Sequence, residues 1–483
     1  MKMMKSANKP ASKQFQRRIH QCAAALCVLS PLSLLFSANV MAADAAAAKN
    51  VIFFLGDGMG PVTVTAARIY GHGEAGRLTM ETLTRTARVK TFSLDAQTTD
   101  SAPSMAAYMT GVKMKNDVIS MSSDTNAFDA SGKPYQAKAD STCVAGNGQP
   151  VQTLLELAKG AGKAVGAVST TRISHATPAT TYAHVCNRDA YNTITEQATP
   201  GAARYNTALK DGVDVLLGGG LRHFLPKSTP GSQRNDELDA LGMFKAAGYT
   251  YVASGSELKS VNPAGVSKLL GLFSASDMDY ELDRVKKNLN QPSLAEMTEK
   301  AIGVLKKNPK GYFLMVEGGR IDHALHGTNA KRALEDTLAF DAAIKKALEL
   351  VDLKDTLIVV TADHDHAIGF NGYPKRGNPI LGKVANYYDG KLALAADGKP
   401  YTTLVFGNGS APRRPEDGDL TNVDTEADDY LQQVGVRFAG SPGSETHGGG
   451  DVMLFSAGAG SDSFKGTFEN IKVFGKVKNA LGL

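Results

Sequence analysis

Short, nearly continuous runs of apolar residues recur along this chain, and each run ends at glycine, hydroxyl or acidic residues. A strand that is covered on both faces carries apolar side chains at almost every position, so runs of this length indicate buried strands. The five clearest runs are Val51–Leu55, Val165–Val168, Val213–Leu217, Tyr312–Val316 and Leu357–Val360. The sequence therefore predicts a sheet whose strands lie in the protein core.

Helical patterns separate these runs, for example over Thr153–Gly160 and Ala330–Leu350. The alternation of strands and helices is typical of an α/β fold with a mostly parallel sheet. Ligands in such folds bind beyond the carboxyl ends of the strands. The acidic, histidine and hydroxyl residues that follow the runs fall at that edge, where we expect the functional site.

Two stretches interrupt the pattern. Residues 115–140 are polar and show little periodicity, which predicts a surface loop. Residues 377–444 are rich in proline, glycine and aspartate, which predicts an irregular insertion or small subdomain. We expect residues 43–483 as a whole to form a single domain.

The first 42 residues differ in kind from the rest of the chain. Six lysines and arginines without any acid precede an apolar run over residues 22–36 and the small residues around Val40–Ala42. This pattern is typical of a cleaved secretory signal peptide, and the run is short for a transmembrane anchor, the alternative interpretation. We therefore expect an exported protein, periplasmic or secreted.

Removal of that segment changes the charge and the cysteine count. All six basic residues of the segment come from a total of 53, so 47 basic and 48 acidic residues remain, a formal net charge of −1. This balance does not favour binding to nucleic acid or to a membrane surface. Cys143 and Cys186 also remain, and in an exported protein the simplest expectation is a disulfide between them.

The stretch Thr98–Gly111, TTDSAPSMAAYMTG, predicts a helix that ends at Gly111. Two interpretations of its first residues are open. In one, Asp100, Ser101 or Ser104 caps the helix. In the other, a serine lies at the positive end of the helix because it takes part in chemistry there.

Aspartate and histidine residues cluster after the predicted strands. Asp322 and His326 are four positions apart, so a helix would place both on one face. The run Asp363–His366 follows one predicted strand, and Asp57 follows another between two glycines. His447 precedes three glycines. Taken singly, each feature also fits a surface pair, a polar turn or a loop histidine.

Taken together, these residues suit a pair of divalent cations, with a third, oxygen-rich position near Glu317. Mixed aspartate and histidine ligands favour zinc, whereas oxygen ligands favour magnesium. Two ions about 3.5–4 Å apart can stabilise an in-line displacement at phosphorus. The pattern therefore indicates metal-assisted chemistry on a phosphate ester.

Six segments occur in the order and approximate spacing of one known family: FFLGDGMG, TTDSAPSMAAYMTG, RISHATPATTYAHVCNRD, VEGGRIDHALH, TADHDH and ETHGGGD. From about Asn50 to Asp451 the sequence resembles the alkaline phosphatase family. The resemblance implies a three-layer α/β/α sandwich with two zinc ions and one magnesium ion. It also implies hydrolysis of phosphate monoesters at alkaline pH, and a homodimer as the commonest state, although the family also has monomers.

The resemblance also implies roles for single residues. Ser101 matches the nucleophile that becomes a phosphoserine, and Arg188 matches the guanidinium that binds phosphate. The implied zinc ligands are Asp57, Asp363 and His364 at one site and Asp322, His326 and His447 at the other. The implied magnesium ligands are Asp57, Thr177 and Glu317.

Three more histidines are expected beside these ligands. One bacterial form of the family has aspartate and lysine where this chain has His175 and His323, and the histidines resemble those of animal and some marine bacterial enzymes. We expect His175 at the third site, directly or through water, so that zinc or another ion can compete there with magnesium. His366 and His323 are expected to contact ligands without binding metal.

The implied reaction is a covalent double displacement through Ser101. One alternative is a phosphodiesterase or sulfatase-like hydrolase on the same scaffold, and a second is an exported metal-binding or phosphate-binding protein without turnover. The presence of both Ser101 and Arg188 favours phosphate monoesters, and the intact nucleophile argues against a role limited to binding.

Overall fold

A large sheet forms the centre of the structure, a computed structural model that describes residues 47–409, 418–437 and 444–483. The predicted signal peptide lies outside the described residues. The strands are β1 (Asn50–Gly56), β2 (Arg85–Lys90), β3 (Gln136–Ala137), β4 (Asp140–Ser141), β5 (Ala164–Arg172), β6 (Val215–Gly219), β7 (Thr250–Val252), β8 (Leu269–Leu272), β9 (Tyr312–Gly318), β10 (Thr356–Thr361), β11 (Asp365–His366), β12 (Ile368–Phe370), β13 (Leu404–Gly409), β14 (Val434–Arg437), β15 (His447–Gly448), β16 (Val452–Gly458) and β17 (Gly466–Glu469).

In the described part of the chain, ten strands form this sheet in the order β17-β2-β16-β10-β1-β9-β5-β6-β8-β7. All neighbours pair in parallel except at β16, which runs antiparallel to both β10 and β2. Each of the five predicted apolar runs contributes a strand to this sheet, although β6 begins only at Val215. Strands β1, β9 and β10 are buried at every position. The prediction of a mostly parallel α/β fold is confirmed.

Helices cover the sheet in two groups, which accounts for strands that are buried on both faces. The helices are α1 (Pro61–His72), α2 (Ser101–Thr110), α3 (Leu154–Gly160), α4 (Ala176–Ala179), α5 (Tyr191–Ala198), α6 (Ala240–Ala246), α7 (Gly255–Ser260), α8 (Glu281–Lys286), α9 (Leu294–Leu305), α10 (Arg320–His326), α11 (Ala330–Leu350) and α12 (Ile471–Ala480). In one group α11 contacts α1, α8, α9 and α10, and in the other α2 contacts α3, α4 and α12.

The order of the central strands brings distant parts of the sequence to one edge of the sheet. Strand β1 lies between β10 and β9, and β9 lies between β1 and β5. Because these four strands are parallel, their carboxyl ends meet. The residues that follow them, or end them, therefore become neighbours although hundreds of positions separate them.

Residues 115–140 correct one expectation from the sequence. The segment is irregular, but it is not confined to the surface, since Val118, Ile119 and Met121 are buried. Val118 and Met121 pack with Ala106 of α2, and Ile119 forms an isolated bridge with Val185. The apolar residues are too few and too unevenly spaced to show a period, so the pattern concealed their burial.

The described part of the region 377–444 contains long irregular stretches together with two strands of a small separate sheet. In the order β12-β13-β14, β12 pairs antiparallel with β13, and β13 pairs parallel with β14.

A disulfide joins Cys143 to Cys186, as the cysteine count predicts, with the two Cα atoms 6.1 Å apart. Among the described residues, no helix combines the length and apolar character that a membrane span requires.

A buried acid on α11 gives a prediction about stability. Asp336 is 5% exposed, and its Oδ2 accepts a hydrogen bond of 3.2 Å from the Glu281 main-chain N–H. Burial raises the pKa of Asp336 to about 8, although the Arg320 charge opposes this shift. The folded protein therefore keeps a proton that an unfolded chain loses near pH 4, so this residue reduces stability as pH rises toward about 8.

We expect Asp336→Asn to raise the thermal unfolding midpoint relative to wild type, and to do so more at pH 9 than at pH 5. The asparagine keeps an acceptor for the Glu281 N–H and stays neutral at both pH values. Above the folded pKa of Asp336, the free energy of unfolding of the variant should exceed that of wild type by on the order of a few kcal/mol. The exposed Glu349→Gln is the control, with no comparable dependence on pH. An Asp336→Asn difference that is equal at both pH values would contradict the prediction.

Candidate active site

Ser101 is the first residue of α2, and its hydroxyl group does not cap the helix. Asp100 is the cap, since its Oδ2 accepts a hydrogen bond of 3.3 Å from the Ala102 main-chain N–H. Ser101 Oγ lies 3.1 Å from His364 Nε2 and 3.3 Å from Asp57 Oδ1, and the residue is 2% exposed. The helix end and the acidic cluster are thus one feature, with the serine between them.

Asp57, Asp363 and His364 form the first cluster around this serine. The adjacent strands β1 and β10 end just before them, and His364 Nε2 lies 3.2 Å from Asp57 Oδ1 and 3.6 Å from Asp363 Oδ2. All three side chains are fully buried, and the Oδ2 atoms of both aspartates find no hydrogen-bond partner among the described residues. Buried carboxylates of this kind are stable only when neutralised, and a bound cation would supply that charge.

The electrostatics of this cluster agree with that interpretation. Burial raises the pKa of Asp363 well above its usual value, and the charge of Asp57 adds to the effect. Burial alone would lower the pKa of His364, but the carboxylates of Asp363, Asp57 and Asp322 outweigh it and raise that pKa to about 9. A divalent cation in the cluster would relieve the repulsion between the carboxylates.

Asp322, His326 and His447 meet in a second cluster. The spacing of Asp322 and His326 places both on α10, with Asp322 Oδ1 3.2 Å from His326 Nε2 and 3.5 Å from His447 Nε2. The two histidine Nε2 atoms are 3.1 Å apart. His447 Nδ1 lies 2.8 Å from the Thr99 carbonyl oxygen, and His326 Nδ1 also faces a main-chain carbonyl. A proton at each Nδ1 leaves the Nε2 lone pairs for a metal ion.

A third cluster shares Asp57 with the first and includes Glu317, near the end of β9, and His175, with Thr177 beside Glu317. Glu317 Oε1, Thr177 Oγ1 and His175 Nδ1 are buried and find no partner within the described ranges. The other carboxylate oxygen of Glu317 accepts hydrogen bonds from the hydroxyl groups of Ser169 and Thr171. The free atoms are mostly oxygens, which fits a magnesium-like ion.

His175 and His323 pack edge to face, with ring centroids 5.4 Å apart. His323 Nδ1 lies 2.5 Å from Arg320 Nη1, and His175 Nε2 lies 3.0 Å from Arg188 Nη2. Because an arginine can only donate, the nitrogen that faces it accepts. His175 therefore carries its proton on Nδ1 in this arrangement, which favours contact with the third cluster through water.

The comparisons with known proteins agree with this geometry. A family model described as alkaline phosphatase matches residues 48–483. The chain belongs to the alkaline phosphatase family.

Among its relatives, the tissue-nonspecific isozyme of alkaline phosphatase from Rattus norvegicus is 39% identical over 453 residues, covering 87% of this chain and 81% of the relative. The alkaline phosphatase of Gadus morhua is 37% identical over 451 residues, covering 87% and 89%. The crystal structure of Thermus thermophilus alkaline phosphatase superposes with a TM-score of 0.67 at 27% identity, covering 91% and 92%. This alkaline phosphatase is therefore an enzyme that hydrolyses phosphate monoesters and depends on metal ions.

Three contacts hold Arg188, and one of them is to Asp100, the residue that precedes Ser101. Its guanidinium pairs with the Asp100 carboxylate and contacts His175, and its main-chain N–H donates to the Asp117 carbonyl oxygen at 2.8 Å. The guanidinium keeps its charge at any relevant pH and presents paired donors that match phosphate oxygens. Asp100 thus both caps the helix of Ser101 and orients the arginine.

We expect Asp100→Asn to weaken inhibition by inorganic phosphate about tenfold, the cost of losing roughly one charge-assisted hydrogen bond. Asparagine is as good an N-cap as aspartate, so the helix is retained and the change isolates the arginine contact. The inhibition constant of phosphate is the quantity to measure. Asp189→Ala is the control, because Asp189 is exposed and accepts a hydrogen bond from the Tyr191 hydroxyl group. Equal inhibition constants in Asp100→Asn and wild type would refute the role of Asp100 in orienting Arg188.

The sequence interpretation overlooked several residues that contact the clusters. Ser169 and Thr171 hold Glu317, and Asp100 orients Arg188, although the sequence presents Asp100 only as a helix cap. Glu445 also lies against the second cluster. Of these residues, only Glu445 could have been identified from the sequence. It lies two positions before His447, a candidate ligand, and an acid so close to a ligand is itself a candidate for a role at the metal site.

Proposed function

We propose that this enzyme hydrolyses phosphate monoesters at alkaline pH through a phosphoserine on Ser101, with two zinc ions and one magnesium ion. One observation carries the proposal. Ser101 Oγ is buried at a helix start, within 3.3 Å of Asp57 and His364, and the Oδ2 atoms of Asp57 and Asp363 have no hydrogen-bond partner in the described chain. No structural need explains a hydroxyl group placed against buried carboxylate oxygens that lack partners.

The donor sets support the assignment of the ions. Two clusters combine carboxylate oxygens with histidine nitrogens, the ligands that zinc prefers. The third offers two carboxylates and a hydroxyl group, the ligands that magnesium prefers, and His175, with its proton on Nδ1, would complete it through water. Asp57 is common to the first and third clusters and would bridge their ions. The imidazole of His175 lets zinc or another ion compete at the third position.

The proposed reaction has two displacements. Arg188 binds two non-bridging oxygens of the ester, and the positive end of α2 favours the dianion beside Ser101. Ser101 Oγ gives up its proton to solvent and bonds to phosphorus, while the bond from phosphorus to the leaving oxygen breaks and that oxygen takes a proton from water to leave as the alcohol. A water molecule then attacks phosphorus, the bond from phosphorus to Ser101 Oγ breaks, a proton returns to Oγ, and phosphate leaves. Bound zinc ions would favour the deprotonated forms of serine and water and would offset the charge of the leaving oxygen.

Alkaline conditions suit this chemistry because the nucleophiles and the histidine ligands must be deprotonated. We also propose that the first 42 residues act as a signal peptide and that the enzyme is periplasmic or secreted. Such an oxidising compartment suits the disulfide between Cys143 and Cys186. A homodimer, the commonest state in the family, is proposed as the assembly.

Parallel assays with a monoester and a diester of the same alcohol test the proposed function. The proposal predicts that kcat/KM is higher for the monoester. After Arg188 has bound two non-bridging oxygens, a monoester keeps a third oxygen and a second negative charge that bound cations would attract, whereas a diester has neither. Faster hydrolysis of the diester, or of a sulfate ester, would favour the phosphodiesterase or sulfatase-like alternative. Zinc uptake without any hydrolysis would favour the alternative of a binding protein.

A further inference from the structure

Glu445 is a buried carboxylate at the edge of the second cluster, 1% exposed. It lies two positions before His447, in the segment that enters β15, and β15 pairs antiparallel with β11 so that His447 faces His366. Glu445 Oε2 lies 2.5 Å from His366 Nδ1, and its Oε1 accepts a hydrogen bond of 2.5 Å from the Ala367 main-chain N–H. Both carboxylate oxygens are thus engaged.

The opposite nitrogen of the same ring reaches the cluster. His366 Nε2 lies 2.8 Å from Asp322 Oδ1, so the imidazole bridges Glu445 and Asp322. Carboxylate oxygens can only accept, so the ring is fixed at both ends. Gly58 closes one side of it, because a Cβ at Gly58 would lie 2.4 Å from two ring atoms. The position of Asp322 Oδ1 therefore depends on where Glu445 holds the ring.

Glu445 also fixes a second candidate ligand through its main chain. Its N–H donates to the His326 carbonyl oxygen at 3.0 Å, and its carbonyl oxygen lies 2.5 Å from His326 Nδ1. One residue thus contacts His326 directly and Asp322 through His366. These are two of the three residues expected to hold one zinc ion.

We propose that Glu445 is a positioning residue for zinc at the site of Asp322, His326 and His447. Its carboxylate holds His366 against Asp322, and its main chain holds His326. The carboxylate fixes the ligands in place before the ion binds. Less conformational entropy is then lost on binding, and the affinity for zinc is higher. This inference rests on the proposed function, since it assumes that zinc is the ion bound there.

A purely structural role is the competing explanation, and the chain contains a matched control for it. Glu156 is also a buried glutamate, 1% exposed, with Oε1 2.8 Å from His184 Nε2. It belongs to the capping box of α3 and to none of the candidate metal clusters in the described chain. Its removal damages packing and hydrogen bonding as the removal of Glu445 does, without touching a ligand.

The experiment compares wild type, Glu445→Ala, Glu445→Gln and Glu156→Ala by equilibrium dialysis against buffered free zinc, with metal analysis and thermal unfolding. For Glu445→Ala we expect one zinc equivalent to require about 10- to 100-fold more free zinc. The free zinc that Glu445→Gln requires should lie between the values for Glu445→Ala and wild type. The amide keeps one oxygen acceptor, but its NH₂ group must face one of the two donors, His366 Nδ1 or the Ala367 N–H. Glu156→Ala should unfold at lower temperature yet bind zinc as wild type does.

Wild-type zinc binding in Glu445→Ala would overturn the inference, and so would an equal loss of zinc in Glu156→Ala. Neither result would affect the proposed function, because wild type would still bind zinc and hydrolyse monoesters. Wild-type protein that takes up no zinc would instead overturn the proposed metal assignment, and this inference with it.

Discussion

Replacement of Ser101 by alanine is expected to lower kcat for a phosphate monoester by roughly 10³-fold or more, the scale on which loss of a nucleophile acts in covalent catalysis. The reason is the position of the hydroxyl group, which lies within 3.3 Å of Asp57 and His364 at the start of α2. Alanine leaves the helix cap at Asp100 in place. Metal content and thermal unfolding should therefore match wild type, and initial rates at saturating substrate measure the effect.

Ser104 provides the control on the same helix. It is equally buried, but its hydroxyl group donates to the Asp363 main-chain carbonyl oxygen at 2.6 Å and accepts a hydrogen bond of 3.3 Å from Asn470 Nδ2. Ser104→Ala is expected to reduce activity far less than Ser101→Ala, by about the effect of two lost hydrogen bonds between uncharged groups. Unchanged hydrolysis in Ser101→Ala would remove the serine from the mechanism.

Removal of the metal ions is expected to abolish activity and to lower the thermal unfolding midpoint. Without cations, four buried carboxylates face one another at the carboxyl edge of the sheet, those of Asp57, Glu317, Asp322 and Asp363. Ions bound at a hundred to a thousand times their dissociation constants stabilise the fold by about 3–4 kcal/mol each. Activity and unfolding are measured before chelation, after it, and after zinc and magnesium are restored.

A chelator saturated with zinc beforehand is the matched control, and it should leave both quantities unchanged. We expect restored zinc to recover most of the activity and added magnesium to complete the recovery. Full activity in protein from which metal analysis finds no remaining ion would refute the metal assignment, whichever ions had been expected.

The sequence predicts the fold well where burial is continuous. Runs such as Val51–Leu55 and Tyr312–Val316 can be strands only inside a covered sheet, and both form strands of the central sheet. The pattern does not specify pairing, so it cannot show that β1 lies between β9 and β10. It also conceals the burial of Ile119, which an isolated bridge to Val185 brings into the core.

For the site, the sequence identifies side chains whose type suits metal chemistry but not those that orient them. Asp322 and His326 are recognisable because one helical turn separates them. Glu445 and Asp100 act across long separations in the chain, on His366 and Arg188, and only the folded backbone brings these pairs together. Contacts of this kind depend on tertiary structure and leave little local signal.

The most direct test of the account is acid quenching of the enzyme during turnover of a monoester, followed by proteolysis and mass analysis of the peptide that contains Ser101. The account predicts phosphate covalently bound to Ser101, in an amount that rises with substrate concentration, and none in Ser101→Ala. Undiminished release of phosphate with no phosphorylated Ser101, or with phosphate on another residue, would contradict it.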